Sequence, residues 1–288
     1  MNLSGRREST NVDDRRGKKA AIGIGLGIGG VGTTIIAVII ALMLGKDPSS
    51  VIQNMQNVKP TETESAYTPT AEEQELAKFS KQILAGTEDV WTAVFKKMGK
   101  KYDPPKLVLF SSSVQSGCGG ATSSTGPFYC SADQCVYIDL SFFTTMEKQF
   151  GSAGDFAYAY VIAHEVGHHV QYLLGTLSEA HQQMSRLSET ESNKISVRLE
   201  LQADFYAGVW AHWDNEMFNS LEEGDIDEGL AIASRIGDDY LQKRAQGYAV
   251  PESFNHGTSA QRSKWLKKGI STGNISDGDT FTPSYASL

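Results

Sequence analysis

The stretch from Phe156 to Leu174, FAYAYVIAHEVGHHVQYLL, constrains the fold of this chain more than any other. It has the length of a helix and is apolar on nearly every side, yet it carries His164, Glu165, His168 and His169 in its middle. A helix that is apolar all round belongs at the centre of a core. Ionisable side chains taken there are costly unless they are paired, hydrogen-bonded or bound to a metal. The rest of the fold therefore has to wrap this helix and bring partners to its polar groups.

Those groups spell HExxH, from His164 to His168. Residues four apart share one helical face, so His164 and His168 can converge on a zinc ion. Glu165, beside the first ligand, is then placed as general base for a metal-bound water. Gly167 inside the helix costs about 1 kcal/mol relative to Ala, a cost that close approach of another backbone or a ligand would explain. Two ligands do not complete a site. Farther on, Glu200 and Asp204 lie one turn apart in an otherwise apolar helical stretch. Glu200 is the natural third ligand, and Asp204 can accept the free ring N–H of a ligating histidine. The longer HExxHxxGxxH arrangement is excluded, because Gln171 and Leu174 stand where Gly and His are required. Three protein ligands leave a fourth position for water, the mark of a catalytic rather than a structural zinc site.

The reading is thus one Zn2+ per chain on His164, His168 and Glu200, serving hydrolysis of a peptide or protein substrate. A second donor for the oxyanion is expected from His256, with Tyr129, Tyr137 and Arg262 behind it. An equally reasonable role for His256 is that of a loop residue just ahead of a helix cap at Thr258 or Ser259. His169 falls about 100° around the helix from His168 and is not expected to join the metal. His181 and His212 read as structural or exposed.

Around this centre the sequence predicts an α+β domain, mostly helical with a small sheet. Thr70 and Glu73 form a helix-start pattern, followed by apolar residues Leu76, Phe79, Ile83 and Leu84 at helical spacing. Residues 106–112 and 136–139 read as strands, and helices dominate after Leu140. The tail from Ser271 is polar and expected to fray. Glu222, Glu223, Asp225, Asp227 and Glu228 read as a solvated face, with no second metal.

Residues 20–44 form an uncharged apolar run of about 25 residues, long enough to cross a bilayer as a retained helix. Arg6, Arg7, Arg15, Arg16, Lys18 and Lys19 precede it, which by the positive-inside rule places the N-terminus in the cytoplasm. The expected organisation is a cytoplasmic segment over 1–19, a transmembrane helix over 20–44 in contact with lipid, a flexible linker over 45–70, and a domain over 71–288. That domain would be extracytoplasmic, periplasmic or at the cell surface, in a single-pass membrane protein. The GxGxxG match at Gly27, Gly29 and Gly32 lies within the span, not between a strand and a helix, and is no nucleotide site. A formal charge of -8 and a pI near 5.3 argue against nucleic acid as a partner. Cys118, Cys130 and Cys135 permit at most one intramolecular disulfide, in any of three pairings.

The HEVGHHVQ and ELQAD stretches, together with Gly117-Cys118-Gly119, Gly126-Pro127-Phe128-Tyr129-Cys130, Ile236-Gly237-Asp238-Asp239 and His256-Gly257-Thr258-Ser259, resemble the bacterial neutral zinc metallopeptidases. The resemblance implies a zincin-like metallopeptidase domain preceded by one transmembrane helix. It also implies a Cys118–Cys130 disulfide, with Cys135 extra. That family usually carries a cysteine after the ELQAD acid and another near the C-terminus; here Phe205 follows Asp204 and the tail has none, which suggests a lost disulfide rather than a lost catalytic group. The alternative function is a catalytically silent, zinc-stabilised scaffold or interaction protein of the cell envelope, and a weaker one is hydrolysis of a non-peptide amide. Glu165 favours the enzyme, since a structural zinc site needs no base.

Overall fold

A computed structural model describes residues 1–18, 67–150 and 154–288. The first long helix, α1 (Ala71–Lys97), starts at a reciprocal cap: Thr70 Oγ1 accepts the Glu73 N–H, and the Glu73 carboxylate accepts the Thr70 N–H. Its inner face, with Ile83, Leu84, Val90, Trp91 and Phe95, closes one side of the core.

Three parallel strands and one antiparallel strand form the main sheet. β1 (Val12–Asp14), β2 (Lys106–Phe110) and β6 (Cys135–Asp139) run parallel, and β5 (Phe128–Cys130) pairs antiparallel with β6. The spatial order β1-β2-β6-β5 leaves β5 at an edge. Leu107 to Phe110 and Val136 to Ile138 are buried, as continuous branched and aromatic runs should be in strands covered on both faces. A separate hairpin of β3 (Ser113–Ser116) and β4 (Gly119–Thr122) is tied to β5 by the Cys118–Cys130 disulfide.

The helical half comprises α2 (Ser141–Phe150), α3 (Gly154–Leu174), α4 (Thr176–Met184), α5 (Glu189–Phe218), α6 (Asp225–Arg235), α7 (Asp238–Gln246) and α8 (Ser259–Thr272). α3 is the central helix, with Ala157, Ile162, Ala163, Val166 and Val170 sealed from solvent. A side chain at Gly167 would place its Cβ 3.0 Å from the Ala203 carbonyl oxygen and 3.2 Å from Ala203 Cα. The missing side chain thus lets α5 lie directly against α3 and brings the HExxH and ELQAD segments together. α8 crosses α5 as closely, since a Cβ at Gly269 would meet the Phe205 carbonyl oxygen at 2.1 Å.

Both ends of the chain depart from expectation. The tail after α8 is docked, not frayed: Gln202 Nε2 donates to the Gly278 carbonyl at 2.8 Å, Trp213 Nε1 to Gly273 at 2.7 Å, and the Arg198 guanidinium to Thr280 and Phe281. Backbone carbonyls of a polar segment satisfy buried and half-buried donors on α5, an arrangement that hydropathy does not register.

The N-terminal segment is the larger correction. β1 is a strand of the domain's own sheet. The Met1 α-amine lies 2.6 and 2.7 Å from the Asp155 carboxylate oxygens, and Arg6 forks onto buried Asp214 at 3.2 and 2.8 Å. Residues 1–18, 67–150 and 154–288 therefore sit on one body, whereas a single crossing by residues 20–44 would put the first stretch and the rest on opposite sides of a bilayer. Among the described residues no helix is long and apolar enough to cross a membrane, and residues 20–44 lie outside the described residues. The transmembrane helix, the lipid partner, and the single-pass topology with a cytoplasmic N-terminus and an extracytoplasmic domain are accordingly withdrawn. Four of the six basic residues that suggested them are engaged otherwise: Arg6 pairs with Asp214, Arg7 with Glu88 and Asp89, Arg15 with Asp13, and Arg16 with Asp14. The acidic run near α6 is likewise not simply a solvated face. Asp225 is buried and lies 3.3 Å from the Met1 amine.

Candidate metal centre

α3 and α5 meet with three ligand-bearing side chains facing one point. His164 and His168 stand one turn apart on α3, their rings perpendicular and 4.9 Å apart between centroids. From α5, the Glu200 carboxylate places Oε2 3.2 Å from His164 Nε2 and Oε1 3.5 Å from His168 Nε2. A tetrahedral zinc site with bonds of about 2.0–2.1 Å has donor-to-donor edges of about 3.3–3.4 Å. The two Glu200 oxygens stand near that spacing from the ring nitrogens, one oxygen to each ring.

Their other ring nitrogens are committed. His164 Nδ1 lies 2.8 Å from Asp204 Oδ1, and His168 Nδ1 lies 2.8 Å from Gln171 Oε1. A carboxylate and an amide oxygen only accept, so each ring donates through Nδ1 and keeps Nε2 for a metal. Two imidazole nitrogens and one carboxylate oxygen are a donor set that suits zinc.

Asp204 is 0% exposed and heavily bonded. It accepts from Tyr160 Oη at 2.5 Å and from Arg262 Nε and Nη2 at 2.9 Å each, in addition to His164. Burial pushes its carboxyl upward, but the Arg262 guanidinium and His164 hold it below the usual range. Gln171 is also anchored, its Nε2 donating to the Leu199 carbonyl at 2.7 Å and to Gln202 Oε1 at 3.2 Å.

Electrostatics within the centre favour a cation. Burial works against a proton on His164, yet the Asp204 and Glu200 carboxylates outweigh it and raise the imidazole to about 10. The same carboxylates favour a divalent ion in that proton's place. Burial pushes Glu200 upward, but His256, His168 and His164 draw it well below the usual carboxylate range. Glu165 behaves in the opposite sense: burial raises its carboxyl, and His164 and His168 only partly offset this. It is the carboxylate best suited to take up a proton.

His169 does not join the ligands. Its Nε2 faces the Asp103 carbonyl at 2.7 Å and so carries the proton, which leaves Nδ1 to accept from the Tyr129 hydroxyl at 2.9 Å. His169 thereby fastens β5 to α3. That bond commits Tyr129; Tyr137 donates to Asp133 at 2.7 Å, and Arg262 is held on Asp204. Of the distal candidates only His256 remains, 4% exposed on the loop before α8, with Nδ1 3.3 Å from Asp238 Oδ1. His181 is exposed on α4, and His212 Nδ1 faces the Ile270 carbonyl at 2.8 Å.

Cys118 and Cys130 are joined, with Cα atoms 5.8 Å apart, while Cys135 is free and buried. Burial first, then Asp133, pushes the Cys135 thiol up to about 11. A second acidic group, Asp155, Asp225 and Glu228, is also close enough to share a cation. The Met1 ammonium already serves that charge. Gln171 and Tyr160 had no assigned role in the sequence; Gln171 was detectable, since it lies one turn beyond His168 on the same face.

A family model described as "Putative neutral zinc metallopeptidase" matches residues 1–281. The uncharacterized protein YpfJ of Escherichia coli (strain K12) is 45% identical over 291 residues, covering 99% of this chain and 100% of that protein. The uncharacterized protein Rv2575 of Mycobacterium tuberculosis (strain ATCC 25618 / H37Rv) is 38% identical over 258 residues, covering 84% of this chain and 85% of its own length. No solved structure matches the chain. The chain belongs to this zinc metallopeptidase family.

Proposed function

We propose that this member of the family hydrolyses peptide bonds, with one zinc ion held by His164, His168 and Glu200 and with Glu165 as general base. The observation that carries the reading is the edge spacing of 3.2 and 3.5 Å between Glu200 and the two free ring nitrogens, beside a carboxylate whose proton affinity burial has raised. When bound, zinc supplies Lewis acidity, making a water easier to deprotonate and a carbonyl easier to attack. Glu165 accepts the proton of the attacking water and returns it to the leaving amine. Asp204 and Gln171 hold the imidazoles in one tautomer and one orientation. His256 donates to the oxyanion that develops on the scissile carbonyl.

The edge strand β5 supports an extended peptide as substrate. It packs on α3, is pinned by the Tyr129–His169 bond and by Cys130, and among the described residues no further strand pairs with its outer side. Such an edge accepts a peptide as an added strand.

The reading is tested with zinc-loaded protein and a diverse peptide pool analysed by mass spectrometry. Wild type should cut the pool and Glu165→Gln should cut nothing while keeping its zinc. Zinc in both with cleavage by neither would favour the silent scaffold.

A further inference from the structure

Two separated stretches of sequence, Gly237-Asp238-Asp239 and His256-Gly257-Thr258-Ser259, form one clamp in the fold. Asp238 is 6% exposed in the first turn of α7. Its Oδ2 accepts the backbone N–H groups of Asn255 at 2.8 Å, His256 at 2.7 Å and Gly257 at 3.0 Å. Its own N–H donates to the Gly257 carbonyl at 2.9 Å. Asp239 Oδ1 accepts from the Ser259 N–H and hydroxyl at 2.7 and 2.9 Å. A Cβ at Gly237 would stand 2.2 Å from the Ser259 nitrogen, so the starts of α7 and α8 press together where a side chain cannot enter. Gly257, at φ +94°, takes a turn that other residues strain to adopt.

The three amides fix the loop, and the remaining oxygen addresses the ring. Asp238 Oδ1 lies 3.3 Å from His256 Nδ1, a buried nitrogen that forms no hydrogen bond. With Nδ1 turned to this carboxylate, Nε2 is the atom the ring can present elsewhere. A Cβ at Gly257 would stand 3.2 Å from Leu201 Cδ2 and 3.3 Å from Val197 Cγ1, so the loop that carries His256 packs against α5 beside Glu200.

We infer that Asp238 is a positioning residue for His256: it fixes the loop through one oxygen and, through the other, keeps the Nδ1 proton on its own side, so that Nε2 faces the reacting group. A loop clamp alone would need only the first oxygen. The role at the reacting group rests on the peptidase reading above; the state of the ring does not.

The test substitutes Asp238→Asn, which retains an acceptor for the three amides but offers an N–H to Nδ1. Nitrogen-15 NMR of the histidines, at one pH in the full chain and assigned with His256→Gln, should show Nδ1 of His256 protonated in wild type and unprotonated in the variant. An unchanged Nδ1 overturns the inference whether or not the protein cleaves anything. In the kinetic arm, Asp238→Asn should lower kcat by about 10–100-fold with KM and thermal midpoint nearly unchanged. It should add no further loss in a His256→Ala background. Equal losses in both backgrounds would show that Asp238 acts through the fold and not through His256. If zinc-loaded wild type is inactive, the peptidase reading fails, and the NMR result alone decides the role of Asp238.

Discussion

His164 and His168 are one turn apart on the same helix and present the same nitrogen to the same point, yet they are held in opposite ways. Behind His164 stands a charged network: Asp204, sealed from solvent, shared with Arg262 and Tyr160. Behind His168 stands a neutral one: the Gln171 amide, passed on to Leu199 and Gln202 and from there to Gly278 in the docked tail. Charge holds the first ligand strongly, and breaking its network exposes the full cost of a buried ion without its partner. Amides hold the second by direction alone, at a smaller cost when lost. The asymmetry also fits the chain's architecture, since the charged side joins α3, α5 and α8, while the neutral side joins α3 and α5 to the C-terminal tail.

The contrast is sharpest in Asp204→Ala. It leaves Arg262, 3% exposed, facing no carboxylate at that position, and should cost about 3–5 kcal/mol of stability, read by denaturant unfolding, with loss of zinc. Gln171→Leu should be milder, costing about 1–3 kcal/mol, with zinc affinity reduced by about tenfold. Equal effects from the two would remove the distinction between charged and neutral support.

The third prediction uses the proton that Asp204 and Glu200 favour on His164. Its folded pKa of about 10 exceeds the unfolded value of about 6.5, so in metal-free protein its stabilising contribution is complete below the latter and lost as pH rises through the former. Zinc must displace that proton, so affinity should tighten by about tenfold per unit as pH rises from 7 toward 10. Calorimetry in buffers of different ionisation enthalpy would register the proton; an affinity independent of pH over this window would refute the account. Asp204, depressed in the folded state, has the opposite sign: its contribution is present above about 3.9 and lost as pH falls through its lowered value. The smallest effect should come from Tyr160→Phe, which removes one of several donors to Asp204 and should cost about 1 kcal/mol with zinc content preserved.

Much of this centre is legible in a linear sequence because its elements are helical. His164 and His168 reveal their shared face by spacing, with Glu165 beside the first of them, and Glu200 and Asp204 do the same within one turn. Gly167 signalled a close approach, and Ala203 is what approaches. Less visible were contacts made between distant segments through backbone groups. Asp238 gathers three amides that no side-chain pattern encodes, and the polar tail docks through its carbonyls. The N-terminal arginines were misread for a related reason: their partners Asp214, Glu88 and Asp89 lie far along the chain, and a count of positive charge before an apolar run does not register them.

The central claim is that His164, His168 and Glu200 hold zinc with one position left over. X-ray absorption at the zinc K-edge of the metal-loaded full chain tests it most directly. The account predicts four nitrogen or oxygen neighbours at about 2.0–2.1 Å, two of them with the outer-shell scattering of imidazole, falling to one in His168→Ala. Sulfur neighbours, or a spectrum unchanged by that substitution, would contradict it.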